Sequence, residues 1–344
     1  MVTHKKTNVS VKRTLKVKQL VVSKLISDED IKKKEGAFFT EKDFKNIINS
    51  NCDVYYLQGK KKVLLARFRK KVIPDKLCHI AFQELSETAK KLHDNRGAAG
   101  GALDTKKLPG YVNKDAMYKR SKYVIRGYKS LKNNKLVEQI IGNQVSSNII
   151  GFYDKPDRNL GQGAPPCRLT QFNKNNMEKF EKVTPFIQSI NQQFKKLIPK
   201  EYKKQYQRAQ ETNFVIDKTA FSTVTINYNW RTALHQDSGD FKGGFGNLVV
   251  CEEGKYQGGY TGFPQFGVAF DVRQGDFLAM DVHEWHTNTP MYETQEDKEF
   301  NKQLPKIQTR DPESGVVGSD LKFQRLTFVC YFREKIANCD EQKT

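Results

Sequence analysis

No apolar run in this 344-residue chain approaches the ~20 residues that a bilayer-spanning helix needs. A helical membrane protein is therefore not expected, and no membrane partner is expected either. The N-terminus is basic but lacks the apolar stretch of a secretory signal. The expected location is intracellular, nuclear or nucleoid-associated. Cysteine is scarce: Cys52, Cys78, Cys167, Cys251, Cys330 and Cys339 are the six, and none form a C-x-x-C pair. That argues against a structural zinc site and predicts reduced thiols, mostly in the core. No repeat of solenoid type is visible. Acidic residues are also short, 39 against 59 Lys and Arg, for a net charge of +20. Such an excess favours polyanion partners, nucleic acid ahead of acidic membrane. A Lys-rich soluble surface gives the same number, so charge alone does not establish DNA binding.

What is present supports a folded enzyme-sized chain. Twenty-two Phe and 14 Tyr can fill a core. Residues 1–35 read as a basic arm. The stretch "GKKKVLLARFRKKVIP" (59–74) reads as a strand or hairpin with a basic exposed face. Over 75–94, Leu77, Ile80, Ala81, Leu85 and Ala89 fall near helical spacing. Residues 175–210 predict one or two helices, interrupted at Pro185 and Pro199. Gly- and Pro-rich loops at 95–104 and 159–168 lie between helices, where functional loops are common. From residue 221 the period changes. "FSTVTINYN", "GNLVVCEE", "FGVAFDV", "GDFLAMDV" and "QRLTFVCYF" are short β-branched and aromatic runs separated by Gly, Asp and Pro. The expected class is α+β, with a mostly helical support region over 36–210, a sandwich, barrel or jelly-roll core over 211–335, and a tail over 336–344. A monomer is expected.

The segment "NYNWRTALHQDSGDF" (227–241) carries the chemistry. His235 and Asp237 are two apart at the end of a predicted strand, so both point to one side. Two His and one carboxylate on one face of Fe(II) leave positions open for a 2-oxoacid and O2. A lone His-x-Asp is weak, but "GDFLAMDVHEWHTNTP" (275–290) follows with His283 and His286, either of which could be the third ligand. Then "RLTFVCYF" puts Arg325 and Thr327 on one strand face, where a guanidinium could clamp a carboxylate and the hydroxyl add a bond. A zinc hydrolase would not explain that late Arg.

The "LHQDSGD" core, "GGYTGFPQFGVAFDVRQGDFLAMDVHEWHTNTP" and "RLTFVCYF" resemble the TET/JBP family of nucleic-acid base dioxygenases, as do "NRGAAGG" and "GFYDKP…CRLT" upstream. The likeness covers roughly residues 90–335 and is nearest the trypanosome, algal and viral branches. It implies a double-stranded β-helix (jelly-roll, cupin-like) core covered by helices. It implies Fe(II) on His235, Asp237 and His286, with 2-oxoglutarate and O2 as co-substrates. It further implies hydroxylation of a base methyl group, with DNA or RNA as partner. The ~35 residues between His286 and the Arg325 strand look longer than usual, a loop at the substrate mouth, which keeps Arg310 and Arg333 as weaker choices for the clamp.

Asp240 follows Asp237 by three and should border the site as a catalytic or base-contacting group. If it accepts from the N4 amine of cytosine, 5-methylcytosine is favoured over thymine. The bland alternative is a turn cap. Asn227 is expected to line the cofactor site, with Tyr228, Asn229 and Arg231 as further candidates that strand alternation would divide. A 2-oxoglutarate-dependent protein hydroxylase would share every iron residue, but it explains the basic charge less well. A non-catalytic nucleic-acid-binding jelly roll would not explain an intact His235, Asp237, His286 and Arg325.

Overall fold

Strand alternation in the late segments builds two cores from one sheet. In Gly246–Glu253, Leu248 and Val250 point to one face while Val249 and Cys251 point to the other. This computed structural model describes residues 17–94, 96–155, 166–304, 309–310, 317–318 and 322–339. The strand belongs to a ten-stranded sheet. From one edge the order is Lys18–Val22, Cys52–Gln58, Lys61–Arg69, Phe277–Met280, Gly246–Glu253, Gln324–Tyr331, Thr223–Tyr228, Val145–Tyr153 and Arg168–Leu169, with Leu92–His93 also on Val145–Tyr153. Pairing is antiparallel except between the first two strands.

One face of this sheet meets a four-stranded sheet, Thr287–Asn288, Thr261–Phe263, Val268–Phe270 and Asn46–Ile48. Phe68, Leu248, Val250 and Leu278 pack there against Phe263, Val268 and Phe270. The other face is covered by the helices Asp75–Ala89 and Met177–Leu197. Their Ala81, Leu85, Phe186 and Phe194 meet Val224, Val249, Phe277 and Phe328. The Phe186 and Phe328 rings are 5.0 Å apart, edge to face. The class is α+β.

Several expectations need correction. Residues 36–210 are not mostly helical: Asn46–Ile48, Cys52–Gln58, Lys61–Arg69, Val112–Arg120, Val124–Ser130 and Val145–Tyr153 are strands. Apolar periodicity finds helices well but overlooks lysine-rich strands such as "VNKDAMYKR", which show little alternation. The sheet core is likewise not confined to 211–335. Pro185 does not interrupt its helix, because its face is exposed and water can serve the carbonyl it leaves unpaired. Pro199 does start a new helix, Pro199–Ala209, at its first position. Of the basic arm, Lys18–Val22 is a strand and Asp28–Lys33 a helix, and residues 1–16 lie outside the described residues. Cys167 and Cys339 are not reduced: they form a disulfide with Cα atoms 5.9 Å apart. Their 172-residue separation hid the pairing. The 159–168 loop lies in part outside the described residues, as do the stretch between residues 304 and 322 and the tail from 340.

Candidate active site

Thr223–Tyr228 ends at Asn229, a non-glycine residue at φ +42°. Asn229 holds the turn by accepting from the Arg325 amide at 2.6 Å and donating to the Phe323 carbonyl at 3.0 Å. The chain then runs extended into the ligand segment. There His235 and His286 form an isolated antiparallel bridge, each amide donating to the other's carbonyl at 3.0 Å. The His-x-Asp pair is thus not on the strand end but on a strap beyond it. The strap is fastened again where the Asp237 amide donates to the Val282 carbonyl at 3.0 Å.

The two imidazoles are held in the same way. Nδ1 of His235 lies 2.8 Å from the Ala233 carbonyl, and Nδ1 of His286 lies 3.0 Å from the Glu284 carbonyl. Each Nδ1–H donates to a carbonyl two residues back, which leaves the Nε2 lone pairs free. Both Nε2 atoms face Asp237, at 3.6 Å from Oδ1 and 3.7 Å from Oδ2. One ligand atom from each of the three residues lies within 4.8 Å of the others. Burial, with His235 beside it, pushes the His286 pKa down to about 4. It is therefore neutral at pH 7, the form that binds a metal. His283 is turned elsewhere, with Nε2 3.2 Å from the Phe241 carbonyl.

Arg325 sits in Gln324–Tyr331 at 2% exposure, and its Nη1 donates to the Thr327 hydroxyl. Its Nε and Nη2 are buried with no hydrogen-bond acceptor. A buried guanidinium left so is costly, and a planar carboxylate is the group that would satisfy it. The donor set therefore fits both a divalent iron and an oxoacid. Thr327, Asn227, Thr261 and Asn288 line a cavity of about 560 Å³ together with the three metal-ligand candidates. Arg325 lies one strand repeat behind Thr327 on the same face. Arg310 is outside the described side chains.

Asp240 also borders the cavity. Burial, with the Asp237 charge added, pushes its carboxyl well above the usual range, and Arg333 opposes this. Arg333 bridges to Asp240 through the backbone, lines the cavity, and places Nε 2.8 Å from Asp154 Oδ1. Of the other candidates only Asn227 reaches the cavity. The Tyr228 hydroxyl donates to Gln324 at 3.0 Å, Asn229 holds the turn, and Arg231 donates to the Phe39 carbonyl at 2.8 Å.

Arg96 is the residue that sequence reasoning missed. Its Nη2 donates to Ser147 Oγ at 2.6 Å, which donates in turn to Asn227 Oδ1 at 2.7 Å. Arg96 Nε is buried without an acceptor, and burial lowers the pKa of the group. Its loop closes tightly on the strap, with the Ala233 amide donating to the Ala99 carbonyl at 2.9 Å. Gly101, at φ +82°, passes so near Phe38 that a Cβ would meet its ring at 2.7 Å. The "NRGAAGG" phrase was the only sequence signal for this arginine.

Two imidazoles and a carboxylate converge on one side of a cavity, and the buried Arg325 guanidinium donates to Thr327 in its lining, a donor set that fits the metal and oxoacid of a non-haem iron oxygenase. The chain matches the Tet_JBP family, described as the oxygenase domain of the 2OGFeDO superfamily, over residues 148–334, and it belongs to that family. Membership implies Fe(II) and 2-oxoglutarate. Among relatives, it is 30% identical over 243 residues to thymine dioxygenase JBP1-B of Trypanosoma cruzi, covering 70% of this chain and 25% of that protein. It is 26% identical over 253 residues to the bifunctional helicase and thymine dioxygenase JBP2 of Leishmania major, covering 73% and 20%. The chain thus spans about a quarter or less of the length of these relatives. Among solved structures, NgTET1 in complex with 5mC DNA aligns at TM-score 0.46 and 11% identity, covering 91% of this chain and 94% of that one.

Proposed function

We propose that this chain hydroxylates the methyl group of a pyrimidine base in DNA. In this reading His235, Asp237 and His286 hold Fe(II), and Arg325 with Thr327 holds the far carboxylate of 2-oxoglutarate. Bound iron and oxoacid supply the activation of O2 and the oxidation of a C–H bond. The protein supplies the rest. The backbone carbonyls of Ala233 and Glu284 fix the imidazole tautomers. Leu248 and Met280, both buried, give the cavity an apolar wall. A methyl group stacked in a duplex cannot enter such a cavity, so the target base must be flipped or single-stranded. The observation that carries the reading is the convergence of the three ligand candidates on one point of a cavity whose Thr327 accepts from Arg325, a guanidinium with its Nε and Nη2 buried and unsatisfied.

Two bases fit the polar groups at the cavity. Thymine presents two carbonyl oxygens and an N3–H, which would match guanidinium donors from Arg333 and Arg96 and the Asp240 acceptor. The relatives' names also support thymine. The 5-methylcytosine reading rests on Asp240 accepting from the N4 amine. Thymine is the better supported of the two.

The test is turnover with Fe(II), 2-oxoglutarate and, in separate reactions, thymine-containing DNA, 5-methylcytosine DNA, RNA and peptides. Succinate is measured, and modified nucleosides are measured by mass. A hydroxymethyl nucleoside from either DNA supports the proposal, and the ratio of the two assigns the base. Succinate with peptides alone would replace it with a protein hydroxylase.

A further inference from the structure

Residues 106–135 contain ten Lys or Arg against a single acid, Asp115. They form most of a separate sheet: Val112–Arg120 and Val124–Ser130 pair antiparallel, and Leu136–Val137 and Ile141–Gly142 both add to the second strand. The apolar side chains Leu108, Val112, Ile125, Tyr128 and Ile141 gather into a small core of their own. That leaves Lys114, Lys122, Arg126, Lys132 and Lys135 exposed. Among the described residues, no salt bridge engages Lys114, Arg126, Lys132 or Lys135. An unpaired cluster of one sign, on a chain of +20, is a polyanion surface waiting for its counter-charge.

Its attachment makes the location specific. The turn at residues 121–124 is fastened to the rim of the cavity. Tyr123 lines the cavity and packs on Gly36, where a Cβ would meet its ring at 2.6 Å. Lys122 Nζ donates to the Glu35 carbonyl at 2.5 Å, and the Leu103 amide donates to the Lys122 carbonyl at 2.9 Å. At the same end of the sheet, beyond Gly142, which pairs with Val124, Asn143 Nδ2 donates to the Gly100 carbonyl at 2.9 Å. Gly100 belongs to the loop that carries Arg96 into the site. The ribbon and the cavity are therefore joined through one loop. A nine-residue strand is about 30 Å long, close to one turn of duplex.

We propose that this basic sheet is the docking surface for the sugar–phosphate backbone of duplex DNA, seated so that the adjoining strand lies over the cavity. It rests on the reading of the cavity as a DNA-base oxygenase site and adds the partner's place of attachment. Contacts of this kind position a duplex without reading its sequence.

The test is fluorescence anisotropy of the full chain with a labelled duplex, across a salt series, without iron or 2-oxoglutarate. A charge-reversed variant, Lys114→Glu, Arg126→Glu, Lys132→Glu and Lys135→Glu together, is compared with Lys196→Glu, Lys200→Glu, Lys203→Glu and Lys204→Glu. The control carries the same charge change on the helices across the sheet. The ribbon variant is expected to weaken binding by roughly 100-fold or more, and to lower the slope of log Kd against log salt by about 3 to 4. The helix variant should retain most of the wild-type slope. Both variants should keep the wild-type melting temperature within a few degrees. Equal losses in the two variants, no loss in the ribbon variant, or wild-type protein that does not bind duplex would each overturn the proposal. Because the assay needs no turnover, its outcome is separate from the oxygenase reading. A chain that binds through the ribbon but oxidises no base would sink that reading alone. A ribbon variant that hydroxylates DNA with unchanged KM would sink the ribbon alone.

Discussion

The metal-ligand strap and the basic ribbon border the same cavity but are built by opposite means. The strap is held by reciprocal backbone hydrogen bonds between His235 and His286 and by a turn locked through Asn229. Its residues from Trp230 to Leu234 are buried, and the imidazoles of His235 and His286 are each fixed by one backbone carbonyl. The ribbon has a small core, and among the described residues no salt bridge engages its exposed Lys114, Arg126, Lys132 or Lys135. Chemistry that needs a fixed geometry sits where the backbone is over-determined. Capture of a flexible polymer sits on a surface whose contacts are numerous and individually replaceable.

That contrast gives a graded set of predictions. His286→Ala should have the largest effect, abolishing succinate formation while leaving duplex affinity within about twofold. Loss of both activities together would show that strap and ribbon are not separable. Arg325→Ala should come next. It removes the cation for the oxoacid and should cost on the order of 2–5 kcal/mol of co-substrate binding, read as a rise in the KM for 2-oxoglutarate. Arg325→Lys should recover only part, because an ammonium lacks the planar fork. Ser147→Ala cuts the link between Arg96 and Asn227 and leaves a buried guanidinium less satisfied. A loss of about 1–3 kcal/mol in thermal stability or turnover is expected, with DNA affinity unchanged. The smallest effect belongs to a single ribbon change such as Lys135→Ala, which should reduce the salt slope by about 1 and weaken all sequences alike. A sequence-dependent loss would mean that the ribbon reads bases rather than phosphates.

The sequence displayed the parts of this site that local geometry writes down. His235 and Asp237 are two apart in an extended segment, and Arg325 and Thr327 share a strand face, as alternation requires. Both pairs do meet, Asp237 with His235 and Thr327 with Arg325. The third histidine was legible only with the family likeness, since spacing left His283 and His286 equal. Arg96 was not legible as a site residue. It reaches the cavity through contacts far along the chain, with Ser147 and then Asn227, that no periodicity records. Arg333 was visible only as a weaker candidate for the clamp and instead stands beside Asp240. The fold was legible where β-branched and aromatic runs made strands, and where Ala81 and Leu85 marked a helix face. It was misread in the lysine-rich strands of the ribbon. There the same charges that carry the proposed partner erase the alternation by which a strand is recognised.

The most direct measurement is anaerobic calorimetric titration of Fe(II), then 2-oxoglutarate, into wild-type, His286→Ala and Arg325→Ala proteins. The account predicts that wild type takes up both, that His286→Ala loses the metal and with it the oxoacid, and that Arg325→Ala keeps the metal but loses the oxoacid. Metal bound equally well by His286→Ala, or 2-oxoglutarate bound equally well by Arg325→Ala, would contradict it.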